Sequence, residues 1–154
     1  MTYPTSPANI TDFVWFIQNE MAVPAKALAA NPVTQPDVIT AWAVACATVN
    51  GLINVHSPIY YNLAMYNFAG DYLIQNCVDQ ECSTFFHDLR KKWNINGFIA
   101  GVVAGTADLT TSTTLEVPDS MKDLSLFDLQ QIKSPQGRAY MAIAQKFGDL
   151  WGAS

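Results

Sequence analysis

The chain has 154 residues, half of them hydrophobic and 14% charged, with eight Lys and Arg against thirteen Asp and Glu and a formal net charge of −5. That length fits one domain, residues 1–154, able to bury a core without staples, and the shortage of cations argues against a phosphate-binding surface. A typical soluble domain has about 25% charged residues, so this exterior is either made of uncharged polar side chains or covered by neighbouring subunits, and the sparseness favours covering.

Residues 1–9 form a loose N-terminal tail rich in Pro, Ser and Thr, without the basic residues and apolar block of a signal peptide, so export is not expected. TDFVWFIQNEM then suits a short helix capped by Thr11 or Asn9, with Phe13, Phe16 and Ile17 on one side, although its aromatic density also allows a strand. Pro24, Pro32 and Pro36 punctuate a connector with one or two helical turns at Ala25 to Ala30. Pro36-Asp37 opens a helix in which Ile39, Trp42, Ala43, Cys46, Val49 and Ile53 recur at helical spacing, loosened at Asn50-Gly51. The oily stretch Val38 to Val55 is interrupted by polar residues and falls short of the roughly 20 apolar residues of a membrane helix, so no membrane partner is expected.

Ser57-Pro58 is a start signal: serine accepts an orphan amide bond as N-cap, and proline at the first helical position gives up no needed hydrogen bond. The helix it launches places Ile59, Leu63, Tyr66 or Asn67, Gly70 and Leu73 or Ile74 along one side, with Ala64 and Ala69 permitting close contact. It is apolar nearly all round, which predicts the centre of a bundle or an assembly. Ser83 caps TFFHDLRKKW, with Phe85 or Phe86 and Leu89 inward and Asp88, Arg90 and Lys92 in water. Its cluster Arg90-Lys91-Lys92 suits the negative end of a helix dipole.

Texture changes over residues 94–120. Glycines at 97, 101 and 105 and a threonine run predict two strands, about Phe98 to Val103 and Thr111 to Val117, forming a hairpin or long arm that needs a surface to lean on. Ser125 then caps LFDLQQIK, and Ser134-Pro135 repeats the start signal for a closing helix over 134–152. Its stripe is Ala139, Tyr140, Ile143, Ala144, Phe147, Leu150 and Trp151, against Arg138, Gln145, Lys146 and Asp149. Gly137 in its first turn costs up to about 1 kcal/mol relative to Ala, which close approach by another backbone would explain.

Chemistry is thinly represented. Three cysteines without a framework suggest a reducing compartment. Cys77, Cys82 and His87, with Cys46 or His56 as a fourth ligand, are off-pattern for zinc. A Cys82–His87 nucleophile pair lacks an orienting acid. Structural cysteines are favoured, and the glycines at 97, 101 and 105 lack the Gly-Lys-Ser/Thr ending of a phosphate loop. Asp71, alone in an apolar helix, is a candidate for perturbed ionisation at a rim, a cap or a subunit contact. The expectation is a protein that is not an enzyme, with no catalytic residues, metal or cofactor. The fold class is mainly α: a small helical bundle with a projecting β-hairpin or extended arm and a C-terminal helix.

Taken together, ITDFVWFIQNEMAVPAKAL, SPIYYNLAMYNFAGDYLI, FFHDLRKKWNINGFIAGVVAG and SPQGRAYMAIAQKFGDLWG resemble the head-to-tail connectors of tailed bacteriophages, also called adaptor, head-completion or collar proteins. The likeness covers almost the whole chain, and its most telling parts are YNLAMYNFAGD and the Ser-Pro-x-Gly-Arg opening of the last helix. It implies a structural virion protein of the neck, made in the host cytoplasm and assembled as a ring, commonly a dodecamer. Such a ring joins the portal protein to a tail or neck protein, and genomic DNA passes through it without specific binding. On this reading Arg138, Tyr140, Phe147, Leu150 and Trp151 dock on the portal or a neighbour, and Phe98, Val102, Val103, Leu115 and Val117 form an inter-subunit arm. A tail-completion or tail-terminator protein is the alternative, and a small metal- or thiol-dependent enzyme a third.

Overall fold

Asn9 starts the first helix, α1 (Ile10–Asn19), by a local exchange: its side-chain oxygen accepts from Asp12 N at 2.9 Å while its amide donates to the Asp12 carboxylate at 2.7 Å. The computed structural model describes residues 7–97, 105–107, 112–114 and 126–147, and over these the chain is mainly helical. Two 3-10 turns, Ala25–Ala27 and Pro32–Thr34, carry it to α2 (Pro36–Thr48). There follow α3 (Leu52–His56), α4 (Pro58–Asn76), α5 (Phe85–Lys92), α6 (Leu126–Gln131) and α7 (Pro135–Lys146). No described helix is long and apolar enough to cross a membrane.

α4 is the organising element. Every residue from Ala64 to Asp71 is buried, and α2, α3, α5 and α7 all pack on it. A helix without a polar face has no other stable place in a bundle. One end of the core is aromatic: Phe13 and Phe16 of α1, Trp42 of α2 and Tyr66 of α4 lie with ring centroids 5.7–6.4 Å apart, in the range that offset and tilted ring pairs prefer. At the other end Phe68 meets Tyr140 of α7 edge-on at 5.0 Å.

The phase of α2 differs from the expected stripe. Val38, Ala41 and Ala45 turn inward and Trp42 is half-buried, whereas Ile39, Ala43 and Cys46 are exposed. Val49 and Ile53 are buried as expected, but in the link to α3 and in α3 itself. Both faces of α2 are apolar, so periodicity could not choose between them. Small side chains at 41 and 45 let the helix lie close on α4. Ile59 is likewise outside, at the exposed start of α4. Arg90, expected in water, folds back instead: its Nη1 donates to Ile74 O at 3.0 Å and Cys77 O at 2.8 Å, closing the C-terminal end of α4.

A projecting β-arm over 94–120 is not supported. Residues 94–97, its expected base, form a turn held to the body: Ile95 is buried, and Lys133 Nζ donates to the carbonyl oxygens of Asn94, Ile95 and Gly97 at 2.8–3.2 Å. Described strand structure is confined to β1 (Gly105–Ala107) and β2 (Ser112–Thr114), antiparallel with Thr106 opposite Thr113. Three-residue strands close too few cross-strand pairs to stand alone. The predicted strand 98–103 and residues 148–152 of the closing helix lie outside the described residues.

Candidate functional site

The start of α7 is fastened to the middle of α4 by a buried polar clasp. Ser134 is the N-cap of α7, and its hydroxyl accepts from Gly137 N at 2.8 Å while donating to the Asp71 carboxylate. The other Asp71 oxygen accepts from Gln75 Nε2 at 2.7 Å. Asp71 and Ser134 are 2% and 0% exposed. Burial pushes the Asp71 carboxyl up from 3.8 to about 7, against the opposing pull of the Ser134 and Gln75 hydrogen bonds. Asp71 thus braces the Ser134 cap of α7 from the middle of α4 and is not itself a cap.

Gly137 completes the clasp. A side chain there would place its Cβ 2.6 Å from the Gln131 carbonyl carbon, closer than real Cβ contacts come, and a tight 3.1 Å from Asp71 Oδ1. The close approach expected at this glycine is therefore made by the chain's own α6, not by a partner. Arg138 is exposed, with Nη1 donating to Ile132 O at 3.2 Å and Lys133 O at 3.3 Å. These bonds finish α6 and leave the guanidinium at the surface.

The other docking candidates separate. Tyr140 is 7% exposed and packed on Phe68, so it belongs to the bundle and has little surface left for a partner. Phe147 is half-buried and meets Tyr60 edge-on at 5.6 Å, beside Lys146 Nζ, which donates to Tyr60 Oη at 2.5 Å. Leu150 and Trp151 lie outside the described residues, as do Phe98, Val102, Val103, Leu115 and Val117.

The cysteine–histidine constellation is not assembled. Cys77 is buried, Cys46, Cys82 and His87 are exposed, and among the described residues no group of three or more His, Cys, Asp or Glu is placed to hold a metal ion. Cys77 Sγ donates to Asp37 Oδ2 at 3.4 Å. Burial first, and Asp37 second, push its thiol up to about 12, so it stays protonated at neutral pH and is no nucleophile. Asp79 has a role that sequence spacing did not reveal: its two oxygens accept from Phe86 N and His87 N, each at 2.8 Å, at the start of α5. The same carboxylate lies 3.5 Å from Arg90.

Among the described residues two hollows can be outlined. One of about 190 Å³ is lined by Asp37, Thr40, Tyr72, Leu73, Asn76 and Cys77, and its carboxylate is already engaged by Cys77 and by Val78 N. The other, about 310 Å³, is lined by His87, Arg90, Lys91, Asn94, Asn96 and Gly97, and its arginine is turned inward to carbonyl groups.

The largest unusual feature is a surface. Residues 38–78 contain a single Asp, Glu, Lys or Arg, the buried Asp71. α2 beyond Asp37, α3 and the first turn of α4 therefore contribute no carboxylate, ammonium or guanidinium group of their own to the surface, although Lys146 of α7 reaches Tyr60. They present Ile39 (45% exposed), Leu52 (55%), Val55 (79%) and Ile59 (51%), together with exposed Ala43 and Cys46. Isolated exposed aliphatics are ordinary, but several in one charge-free stretch mark an interaction surface.

These features define a class no narrower than a helical bundle with one charge-poor stretch of surface. Comparison with protein-family models, with curated proteins and with solved structures returns no match.

Proposed function

We propose that this chain is a structural protein of a tailed-bacteriophage virion, a head-to-tail connector that forms a ring between the portal and the tail and acts without turnover. The observation that carries the reading is the charge-poor stretch over residues 38–78, whose outward Ile39, Leu52, Val55 and Ile59 suit a surface covered by protein. The resemblance of the helical segments to connectors supplies the particular assembly. In it, the exposed Arg138 and the residues beyond Phe147, with Leu150 and Trp151, face the portal or a neighbour. The ring surrounds a channel for the genome, and a net charge of −5 suits a wall along which DNA slides without sticking.

Electron microscopy of virions carrying a density label fused to this chain tests the reading. The label is expected at the neck, in contact with the portal. A label lower in the particle would make this a tail-completion or tail-terminator protein, and its absence from the particle would remove the reading altogether. Arg138→Ala is expected to lower ring or virion assembly while leaving the fold intact; unchanged assembly would remove the docking role of Arg138.

A further inference from the structure

We propose that Asn50-Gly51, in the link between α2 and α3, is a self-modifying site at which the Asn50 side-chain amide is lost and a carboxylate takes its place. The reaction needs no partner beyond water. Gly51 N gives up its proton and attacks Asn50 Cγ; the bond from Cγ to the side-chain nitrogen breaks, ammonia leaves with that nitrogen and the proton, and a five-membered succinimide closes. Water then adds to one of the two ring carbonyls and breaks one ring C–N bond. The product is aspartate on the original main chain, or isoaspartate with the chain routed through the side chain. Nothing is oxidised or reduced. Glycine after the asparagine matters because it offers the least hindered backbone nitrogen, and closure of a small ring between neighbours is favoured by proximity.

The chain has a second Asn-Gly pair, Asn96-Gly97, and the fold sets the two apart. At Asn50-Gly51 the nucleophile is accessible: Gly51 is exposed, its N–H makes no backbone hydrogen bond among the described residues, and nothing stands within 4 Å of where a Cβ would be. The electrophile is prepared as well. Leu52 N donates to Asn50 Oδ1 at 2.9 Å, the oxygen on which negative charge gathers as Gly51 N bonds to Cγ, so a backbone donor already faces the developing oxyanion. At Asn96-Gly97 the corresponding peptide is tied at both ends. Gly97 N donates to Asn94 O at 3.1 Å, Gly97 O accepts from Lys133 Nζ at 2.8 Å, and the Asn94 side chain fills the place of a Gly97 Cβ. Reaction there must first give up the bond that holds its nucleophile. The position of the reactive pair gives the product its effect. Residues 38–70 hold no Asp, Glu, Lys or Arg, so conversion puts an ionised group beside exposed Leu52, and isoaspartate also lengthens the main chain between Val49 and Ile53, both buried.

The test ages the full chain in mildly alkaline buffer, where Gly51 N loses its proton more readily, and follows both pairs by mass spectrometry of digested peptides. Aspartate and isoaspartate products are separated against synthetic peptides. In the folded protein Asn50 is expected to convert about tenfold faster than Asn96 or more, the factor that one surrendered hydrogen bond amounts to. In urea the two pairs are expected to convert at nearly equal rates, because the fold no longer separates them. Gly51 has φ −62° and ψ −19°, which alanine adopts without strain, and open space around it. Gly51→Ala is therefore expected to keep the fold and to slow Asn50 by about tenfold or more, since its methyl group crowds the attacking nitrogen. Asn96 converting as fast as Asn50 in the folded chain, the same preference for Asn50 persisting in urea, or an Asn50 rate untouched by Gly51→Ala would each overturn the proposal. Each of these results leaves the connector reading where it stands, because no virion enters the test.

Discussion

Raising the pH through neutrality should weaken this fold, and Asp71 is the reason. Its carboxyl sits at about 7 in the folded protein against 3.8 in an unhindered chain, so between those values the native state holds a proton that the unfolded state has released. Stability then falls as pH rises across that window, and the loss is complete above the folded value. About three units at 1.36 kcal/mol each amount to roughly 4 kcal/mol in all, of which about 2–3 kcal/mol falls between pH 5 and pH 8. Asp71→Asn isolates this contribution from the other carboxylates. The amide keeps an acceptor for the Ser134 hydroxyl, and Gln75, half-exposed, can rotate its own amide to accept where it now donates. Urea denaturation of both proteins from pH 5 to pH 9 is therefore expected to give a difference curve favouring the asparagine variant increasingly up to about pH 8 and flat beyond. A difference that does not change with pH would refute the assignment to Asp71 of a carboxyl raised by burial.

Gly137→Ala should cost about 3 kcal/mol or more, because the new methyl group strikes the Gln131 backbone, which cannot move aside as a flexible side chain would; thermal unfolding measures it, and a loss below about 1 kcal/mol, the helix-propensity scale, would contradict the geometry. Arg90→Ala should cost about 2 kcal/mol by leaving the Ile74 and Cys77 carbonyl groups without their charged donor, seen as a lower denaturation midpoint. In native protein at pH 8, Cys46 and Cys82 should react with maleimide while Cys77 stays unmodified until denaturant is added, since it is buried and its thiol stands near 12; mass spectrometry of the labelled chain distinguishes two adducts from three.

Local signals were legible and distant ones were not. Asn9, Ser57 and Ser134 each cap the helix that the sequence assigns to them, because the cap and its amide are three residues apart. The central place of α4 was equally readable, since its composition leaves it no wet side. What spacing could not reveal is that the Ser134 hydroxyl also serves Asp71, 63 residues earlier in the chain, or that α5 begins after Thr84 and not at the expected cap Ser83, with Asp79 accepting from its first amides out of a loop beyond capping-box spacing. The stripe of α2 was misphased for a different reason: with alanine, valine and isoleucine on both sides, hydrophobicity carries no directional information, and steric fit to α4 decides. Around residues 94–97 the glycine and asparagine content suggested the base of an arm, whereas a single long side chain, Lys133, gathers three carbonyl groups and turns the segment back.

The clasp and the outer face follow from one property of the sequence. Residues 38–78 hold a single carboxylate, Asp71, which lies inside and is pushed up to about 7 when folded, and α2 adds Asp37 in its first turn. The protein's solubility then rests on α1, the loop from α4 to α5, and α5 to α7, where the described Lys, Arg, Asp and Glu residues of those elements are found. Residues 38–70 leave Ile39 and Val55 exposed without an ionised neighbour in sequence, an arrangement that confers no advantage on a freely tumbling monomer, since burying more of either would be cheaper. The arrangement makes sense if that stretch is covered by protein, and the inward placement of Ala41 and Ala45 with Ile39 left outside is the packing choice that such an occupant requires.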